Sequence, residues 1–452
     1  MPTSLSERET FLFKSAPLGK AIATLAVPTI ISQIIAMVYN LADTWYIGQL
    51  GDNSQVAAVT IAYPLFWGLT AIANLFGIGG GSLISAALGR EDYRLVKKLS
   101  SFCLWTTVGT TSALSLGVFT GGAPFMMLLG ADAETLPYVR DYLFWVLVIG
   151  GVPTVLNMFL AHLVRSVGAS KQAALGMSLG GVLNILLDPP FIFSWGLGMH
   201  IAGAALATCI SNIAATLYFL AFFWKIRQKT VLSLSPWNFW CGRKTVAQVF
   251  SVGLPSALQV FLAVFSTAVL NNLMSAYTSI AVAALGIVKK VDMVPASIVQ
   301  GLSNGVLPLL AYNYGSGDQK RMKLALRYSL IVSIIFTGSC VACLEIFAPR
   351  FIQFFIDKPE TISRGAFFMR LHCMAMPFLS LTLLFTALFQ GTAQGGKALI
   401  VSLFRKGIVD VPLMVLMNRL VPMTGLMMVQ PILDFLCAGL AFVLYRHGGG
   451  KK

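Results

Sequence analysis

What most constrains this chain is the recurrence, from one end to the other, of apolar runs about twenty residues long. Twenty helical residues at about 1.5 Å each cross the hydrocarbon of a bilayer. In lipid every backbone N–H and C=O must be satisfied internally, so only helices and closed barrels can span. The runs are continuous and do not alternate apolar with polar, which points to helices and away from a β-barrel. Twelve spans are read, at about 21–46, 55–87, 99–120, 138–164, 173–193, 201–224, 247–273, 280–312, 324–346, 365–389, 397–418 and 422–445. The second and eighth exceed what a bilayer needs and should tilt or protrude. The expectation is an all-α polytopic membrane protein.

Only 11% of the residues are charged, yet the net charge is +15. Such an excess suits nucleic acid in a soluble protein, but in a membrane protein it follows from the positive-inside rule. With the N-terminus taken as cytoplasmic, six basic residues fall on the outer side: Arg140, Arg350, Lys358, Arg364, Arg370 and Arg419. Lys289, Lys290, Arg405 and Lys406 fall inside spans, and the other 22 of the 32 lie on the cytoplasmic side. No excess is left over for nucleic acid. An even number of spans puts both termini in the cytoplasm, with the chain in a plasma (bacterial inner) membrane. Cys340 and Cys343 form a CxxC inside an apolar run, and the seven cysteines compose no metal or disulfide framework.

The longest polar connection, KIRQKTVLSLSPWNFWCGRKTV, lies near mid-chain. Across it, shifts of about 222–227 residues superpose the two halves. Pro28 meets Pro255, Gly79 meets Gly305, Gly89 meets Gly315, and DPPF (188–191) meets DVPL (410–413), placing Asp188 on Asp410. The organisation expected is an N-terminal lobe (1–224), a cytoplasmic linker (225–246) and a C-terminal lobe (247–452). Six spans per half give a parallel repeat, with a pseudo-two-fold axis along the membrane normal. That arrangement places a substrate cavity between the lobes and suits alternating access, although structural duplication alone would produce the same repeat.

Acids inside the membrane are costly, about 2.5–3.5 kcal/mol each at the bilayer centre on insertion scales. Asp43 and Asp188 each lie roughly 8–9 Å from the outer end of their span, and Thr208 about 10 Å into the returning sixth. Asn184 is one turn below Asp188 on the same helix face, and Asn40 precedes Asp43 by three. Two carboxylates, an amide and a hydroxyl at one depth form an oxygen-rich site for Na⁺ or for a shared proton. Helix capping at the interface is the plainer reading. Pro189 and Pro190 should end regular hydrogen bonding beside Asp188. Gln33, Tyr39 and Asn157 are further candidates to line a cavity. The glycines of GIGGG (77–81) lie inside a span without βαβ context, so close helix packing is expected of them.

AVPTIISQIIAMVYNLADTWYIGQLG, RSVGASKQAALGMSLGGVLNILLDPPFIF, GMHIAGAALATCISN and FQGTAQGGKA together resemble the multidrug and toxic compound extrusion (MATE) family of efflux transporters, over nearly the whole chain. The resemblance implies an antiporter that exports organic compounds, often cationic and lipophilic, against entering Na⁺ or H⁺. It is greatest to the prokaryotic, DinF-like branch, in which the cation site falls on Asp43, Asn184, Asp188 and Thr208. Other branches carry acids in the seventh and tenth spans. Here the corresponding stretches, VFSVGLPSALQVFLAVFSTAVLNN and GAFFMRLHCMAMPFLSLTLLF, carry none.

The C-terminal lobe departs from a plain cation exporter. Lys289 and Lys290 accompany Asp292, and Arg405 and Lys406 accompany Asp410, all within spans. They either pair internally or snorkel, or they present a basic wall to an anionic or zwitterionic substrate. On the second reading Lys290, Asp292, Lys406 and Asp410 join the cavity lining, with Asn40. A lipid-linked precursor flippase on a related fold is the alternative function. No selectivity filter of a channel and no nucleophile–base or metal constellation of an enzyme is visible. The chain is thus expected to need no cofactor beyond a coupling ion, Na⁺ or H⁺. Its expected partners are small organic substrates and membrane lipids, and it is expected to act as a monomer.

Overall fold

The computed structural model describes residues 7–228 and 230–448. Lys229, Lys451 and Lys452, counted above with the cytoplasmic charge, lie outside the described residues. A short helix α1, Glu7–Lys14, precedes the spans. Spans 1–3 are Leu18–Gly48, Asn53–Gly89 and Tyr93–Leu128. Span 4 is Leu136–Ile149 with Gly151–Ser166, and spans 5 and 6 are Ser170–Ile192 and His200–Ile226. Spans 7–9 are Arg243–Ser275, Ser279–Gly315 and Gln319–Gln353. Span 10 is Pro359–Gly391, span 11 covers residues 395–420, and span 12 is Thr424–Gly448. Nine of these described helices are long and apolar enough to cross, and span 4 joins them as a bent pair. The remaining two, spans 8 and 11, are those carrying Lys289, Lys290, Arg405 and Lys406.

All twelve expected spans are present, and most run several residues further than the apolar windows. The linker shrinks accordingly to residues 227–242. It is pinned to span 3 by Ser101 Oγ donating to the Ser235 carbonyl (2.6 Å) and Trp105 Nε1 donating to that of Leu234 (3.1 Å). Exposed side chains such as Leu116, Phe119, Leu217 and Ile335 supply the lipid-facing surface.

Breaks recur in matched places. Span 4 passes through a π-helical stretch, Phe144–Ile149, and bends by 48° before Gly151. Span 10 breaks at Met374 and Ala375, just before Pro377. Gly150 and Ala375 are related by the same repeat offset as the other paired features. Span 5 does not stop at its prolines. It continues to Ile192, because Pro189 and Pro190 keep helical φ while lacking the N–H groups that would bond the carbonyls of Ile185 and Leu186. The connection beyond folds back, with Leu197 N donating to the Pro190 carbonyl (2.8 Å) and Met199 N to that of Phe191 (3.0 Å).

The two six-helix lobes meet along spans 1, 2, 7 and 8, on the side where span 1 begins and span 12 ends. Gly79 and Gly253 face one another across spans 2 and 7, and a side chain on Gly253 would collide with the Leu75 carbonyl. The repeat reproduces the contact across spans 8 and 1, where a methyl on Gly305 would lie 2.6 Å from Ala26 Cα. Gly89 abuts the Tyr312 carbonyl and Gly315 that of Ala86, so the ends of spans 2 and 8 also touch. GIGGG is the same device within the N-terminal lobe: Gly80 faces Cys103, and Gly77 and Gly81 face His162. Residues 76–89 of span 2 are all buried, whereas Tyr63 and Pro64 are exposed. The tight packing of span 2 is thus concentrated in its second half.

Helix α1 belongs by sequence to the first half but docks on the second. Phe13 is fully buried and stacks on Tyr312 of span 8, with centroids 4.8 Å apart. The Arg321 guanidinium of span 9 donates to the Phe13 carbonyl (2.9 Å) and the Ala16 carbonyl (2.7 Å), at the end of α1. Hydrogen bonds from charged donors contribute about 1.5–3 kcal/mol. Arg321→Ala is accordingly expected to release α1 and to speed tryptic cleavage at Lys14 by about tenfold or more. An unchanged cleavage rate would show that the Phe13 contact alone holds α1.

Candidate functional site

Asp188 and Asn184 occupy the C-terminal half of span 5 and are buried, at 0% and 2% exposure. The four-residue spacing places them on one face. Asn184 Nδ2 donates to Asp188 Oδ1 (3.1 Å) and to Thr208 Oγ1 of span 6 (3.2 Å). The structure thus joins three of the four residues proposed from depth into one hydrogen-bonded unit. Asp43 of span 1 makes no such bond but lies near enough to interact electrostatically with Asp188. Among the described residues, Asp43 Oδ1, Asn184 Oδ1 and Asp188 Oδ2 are buried without a hydrogen-bond partner. Unpaired buried oxygens are costly, so a site that collects them fits a hard cation or a proton as the missing partner.

The cluster extends further than the sequence suggested. Asn212, one turn beyond Thr208, donates to the Thr208 carbonyl (2.9 Å) and accepts from Asn157 Nδ2 of span 4 (3.0 Å). Asn157 therefore reaches the site through a residue that sequence reasoning passed over. Tyr142, nearly buried on span 4, lies close enough to interact electrostatically with both acids. It sits six residues into its span, about 9 Å deep, so the depth argument applied to tyrosines would have found it. Tyr39 packs over Gly181 of span 5, where a methyl would lie 3.1 Å from its ring. Gln33 is half-buried on span 1, and Asn40 is exposed, its Nδ2 donating to the Ala36 carbonyl of its own helix (2.7 Å).

In the C-terminal lobe the charges are paired, in part differently from the sequence reading. Lys406 Nζ lies 3.2 Å from Asp410 Oδ2 on the same face of span 11. Arg405, one residue off that face, pairs instead with Asp434 of span 12 at 2.6 Å. Asp434 was missed, although an acid in the apolar stretch QPILDFL is the same signal that marked Asp188. Asp292 lies 3.4 Å from His372 Nε2, not against its lysine neighbours. Lys289 donates to Asn271 Oδ1 (3.3 Å), and Lys290 is exposed. No group of three His, Cys, Asp or Glu side chains able to hold a metal occurs among the described residues.

Twelve membrane helices in two repeat-related lobes, with interrupted spans and buried acids, have the architecture of a membrane transporter. The comparisons place it more narrowly. The MatE family pattern matches residues 28–189 and again residues 255–416, once in each half. The chain is 30% identical over 440 residues to the multidrug export protein MepA of Staphylococcus saprophyticus, covering 97% of this chain and 96% of that one. A crystal structure of MATE in the straight conformation superposes with a TM-score of 0.90 at 24% identity, covering 98% of both chains. An outward-facing MATE transporter of the MOP superfamily gives 0.88 at 23%, again covering 98% of both. The chain belongs to the MatE family of integral membrane transporters and is not an enzyme.

Proposed function

We propose that this protein exports small organic compounds, many of them cationic and lipophilic, across the plasma membrane in exchange for Na⁺ or H⁺. Its Staphylococcus relatives are multidrug export proteins. The observation that carries ion coupling is the set of three donor-less buried oxygens on Asp43, Asn184 and Asp188. A cation or proton there would neutralise two neighbouring acids and draw span 1 toward span 5. If substrate affinity changes with that movement, the two ligands are coupled reciprocally, as antiport requires.

Alternating access would have the two repeat-related lobes rock about their shared contact. With both termini cytoplasmic, the glycine contacts would close the cytoplasmic side. The organic substrate would enter a space between the lobes, with Tyr39, Asn157, Lys290 and Asp292 as its proposed lining, whereas Lys406 and Asp410 are occupied with each other. The exposed apolar belt is solvated by lipid, and one chain suffices for the cycle. Proteoliposomes loaded with a fluorescent organic cation test the proposal. An imposed Na⁺ gradient or pH gradient, applied separately, should drive its movement, and the effective one names the ion. Equal rates with and without either gradient would refute antiport.

A further inference from the structure

The part of the N-terminal lobe's ion site on spans 5 and 6 has a counterpart in the C-terminal lobe, whereas Asp43 of span 1 falls on Leu270 at the Pro28–Pro255 offset. At an offset of about 222 residues, Asn184 corresponds to Lys406, Asp188 to Asp410, Thr208 to Gln430 and Asn212 to Asp434. The wiring is the same. Asn184 Nδ2 donates to Asp188 (3.1 Å) and Thr208 (3.2 Å). Lys406 Nζ donates to Asp410 (3.2 Å) and Gln430 Oε1 (3.2 Å).

The difference lies in charge and in what is left over. In the N-terminal lobe the donor is a neutral amide, and Asp188 Oδ2 and Asn184 Oδ1 remain without partners among the described residues. In the C-terminal lobe the donor is an ammonium. Asp410, at 0% exposure, has both oxygens engaged: Oδ2 by Lys406 and by Ser266 Oγ (2.6 Å), Oδ1 by Gln430 Nε2 (3.2 Å). Asp434, the second acid of this cluster, is answered by Arg405.

We propose that Lys406 is a tethered cation occupying the C-terminal lobe's own ion site. Its ammonium takes the place that a solute cation takes beside Asp188, and so confines ion coupling to one lobe. A covalently held ligand competes at an effective concentration of millimolar or more, about the range set by a short linker. Its side chain is only 15% exposed, so little solvent reaches it to weaken the pair. It is carried by the π-helical stretch Phe404–Ile408, a local widening of span 11 that its N-terminal twin, span 5, does not share. An ancestral pair of equivalent sites has thereby become one site open to solute ions and one closed by the chain itself.

The inference rests on the N-terminal lobe being the ion site, and the experiment separates the two. Binding of Na⁺, and of protons by pH titration, is measured on the purified full chain for wild type, Asp188→Asn, Lys406→Asn and the double variant. Lys406→Asn should bind a second cation, with the Hill coefficient of ion-dependent export rising from about 1 toward about 2. Asp188→Asn should abolish binding, and the double variant should restore one site. Lys406→Arg, which keeps the charge, should behave as wild type; a role in packing alone would not distinguish arginine from asparagine in this way. If Lys406→Asn does not fold, Lys406→Gln takes its place. A folded Lys406→Asn protein that binds no more cation than wild type overturns the proposal. If Asp188→Asn binds as wild type does, the reading of the N-terminal lobe fails, while any gain by Lys406→Asn over wild type still decides the C-terminal one.

Discussion

Asp188→Asn is expected to slow gradient-driven export by at least about tenfold, and to raise the ion concentration needed for half-maximal rate by a similar factor. The substitution keeps the shape and removes the charge. Hydrogen bonds or contacts to a charged group contribute about 1.5–3 kcal/mol, which is roughly ten- to hundredfold in affinity. It also turns an acceptor into a partial donor beside Asn184 Nδ2, which already points at Asp188 Oδ1 from 3.1 Å. Stability should not fall with activity. An uncompensated buried carboxylate opposes folding, so the amide is expected to leave the melting temperature unchanged or higher. Efflux within twofold of wild type, with the same ion dependence, would remove Asp188 from the coupling mechanism. Asp43→Asn should act in the same direction, because Asp43 Oδ1 shares the lack of a partner.

Gly253→Val is expected to abolish export by a different route. The added side chain meets the Leu75 carbonyl, a backbone atom that cannot rotate away. Overpacking of this kind costs about 1–3 kcal/mol, and the cost falls only on the state in which spans 2 and 7 touch. A bias of about 2.7 kcal/mol changes a two-state ratio roughly a hundredfold. The transporter should then rest with its cytoplasmic side parted, holding an outer-face cysteine inaccessible to a membrane-impermeant maleimide. Gly305→Val, the repeat-related change against Ala26, should do the same. Gly286→Val is the control, since nothing lies within 4 Å of a methyl there. Export by Gly253→Val at the control's rate would show that this contact is not part of the closed side.

These expectations depend unequally on the sequence. The twelve spans were legible because hydrocarbon thickness sets a length and lipid forbids unpaired backbone, and both constraints act on local sequence. Asp188, Asn184 and Thr208 could be grouped because rise per residue converts position into depth. Depth says nothing about azimuth, however, so it could not show that Asn212 links Asn157 to the site or that Asp43 stands without a hydrogen bond. Pairing inside the C-terminal lobe failed for the same reason. Arg405 and Lys406 are neighbours in sequence but leave the helix about 100° apart, so one finds Asp410 and the other Asp434. Span 5 running through Pro189 and Pro190 was also hidden: proline's φ is compatible with a helix, and the missing donors came close to the helix end, where few bonds remained to lose.

The docking of α1 has a consequence for how the chain is made. Helix α1 leaves the ribosome before any of the spans, yet the arginine that holds its end lies 308 residues later. Until span 8 is inserted Phe13 has no ring to stack on, and until span 9 is inserted the end of α1 has no guanidinium to hold it. The clasp joins the segment before span 1 to the ninth of twelve spans, so it can close only after spans of both lobes are in place. A chain truncated after span 8 would keep the Phe13 stack and lose the clasp, so that faster cleavage at the end of α1 would give a cell's proteases a means of telling an unfinished transporter from a complete one.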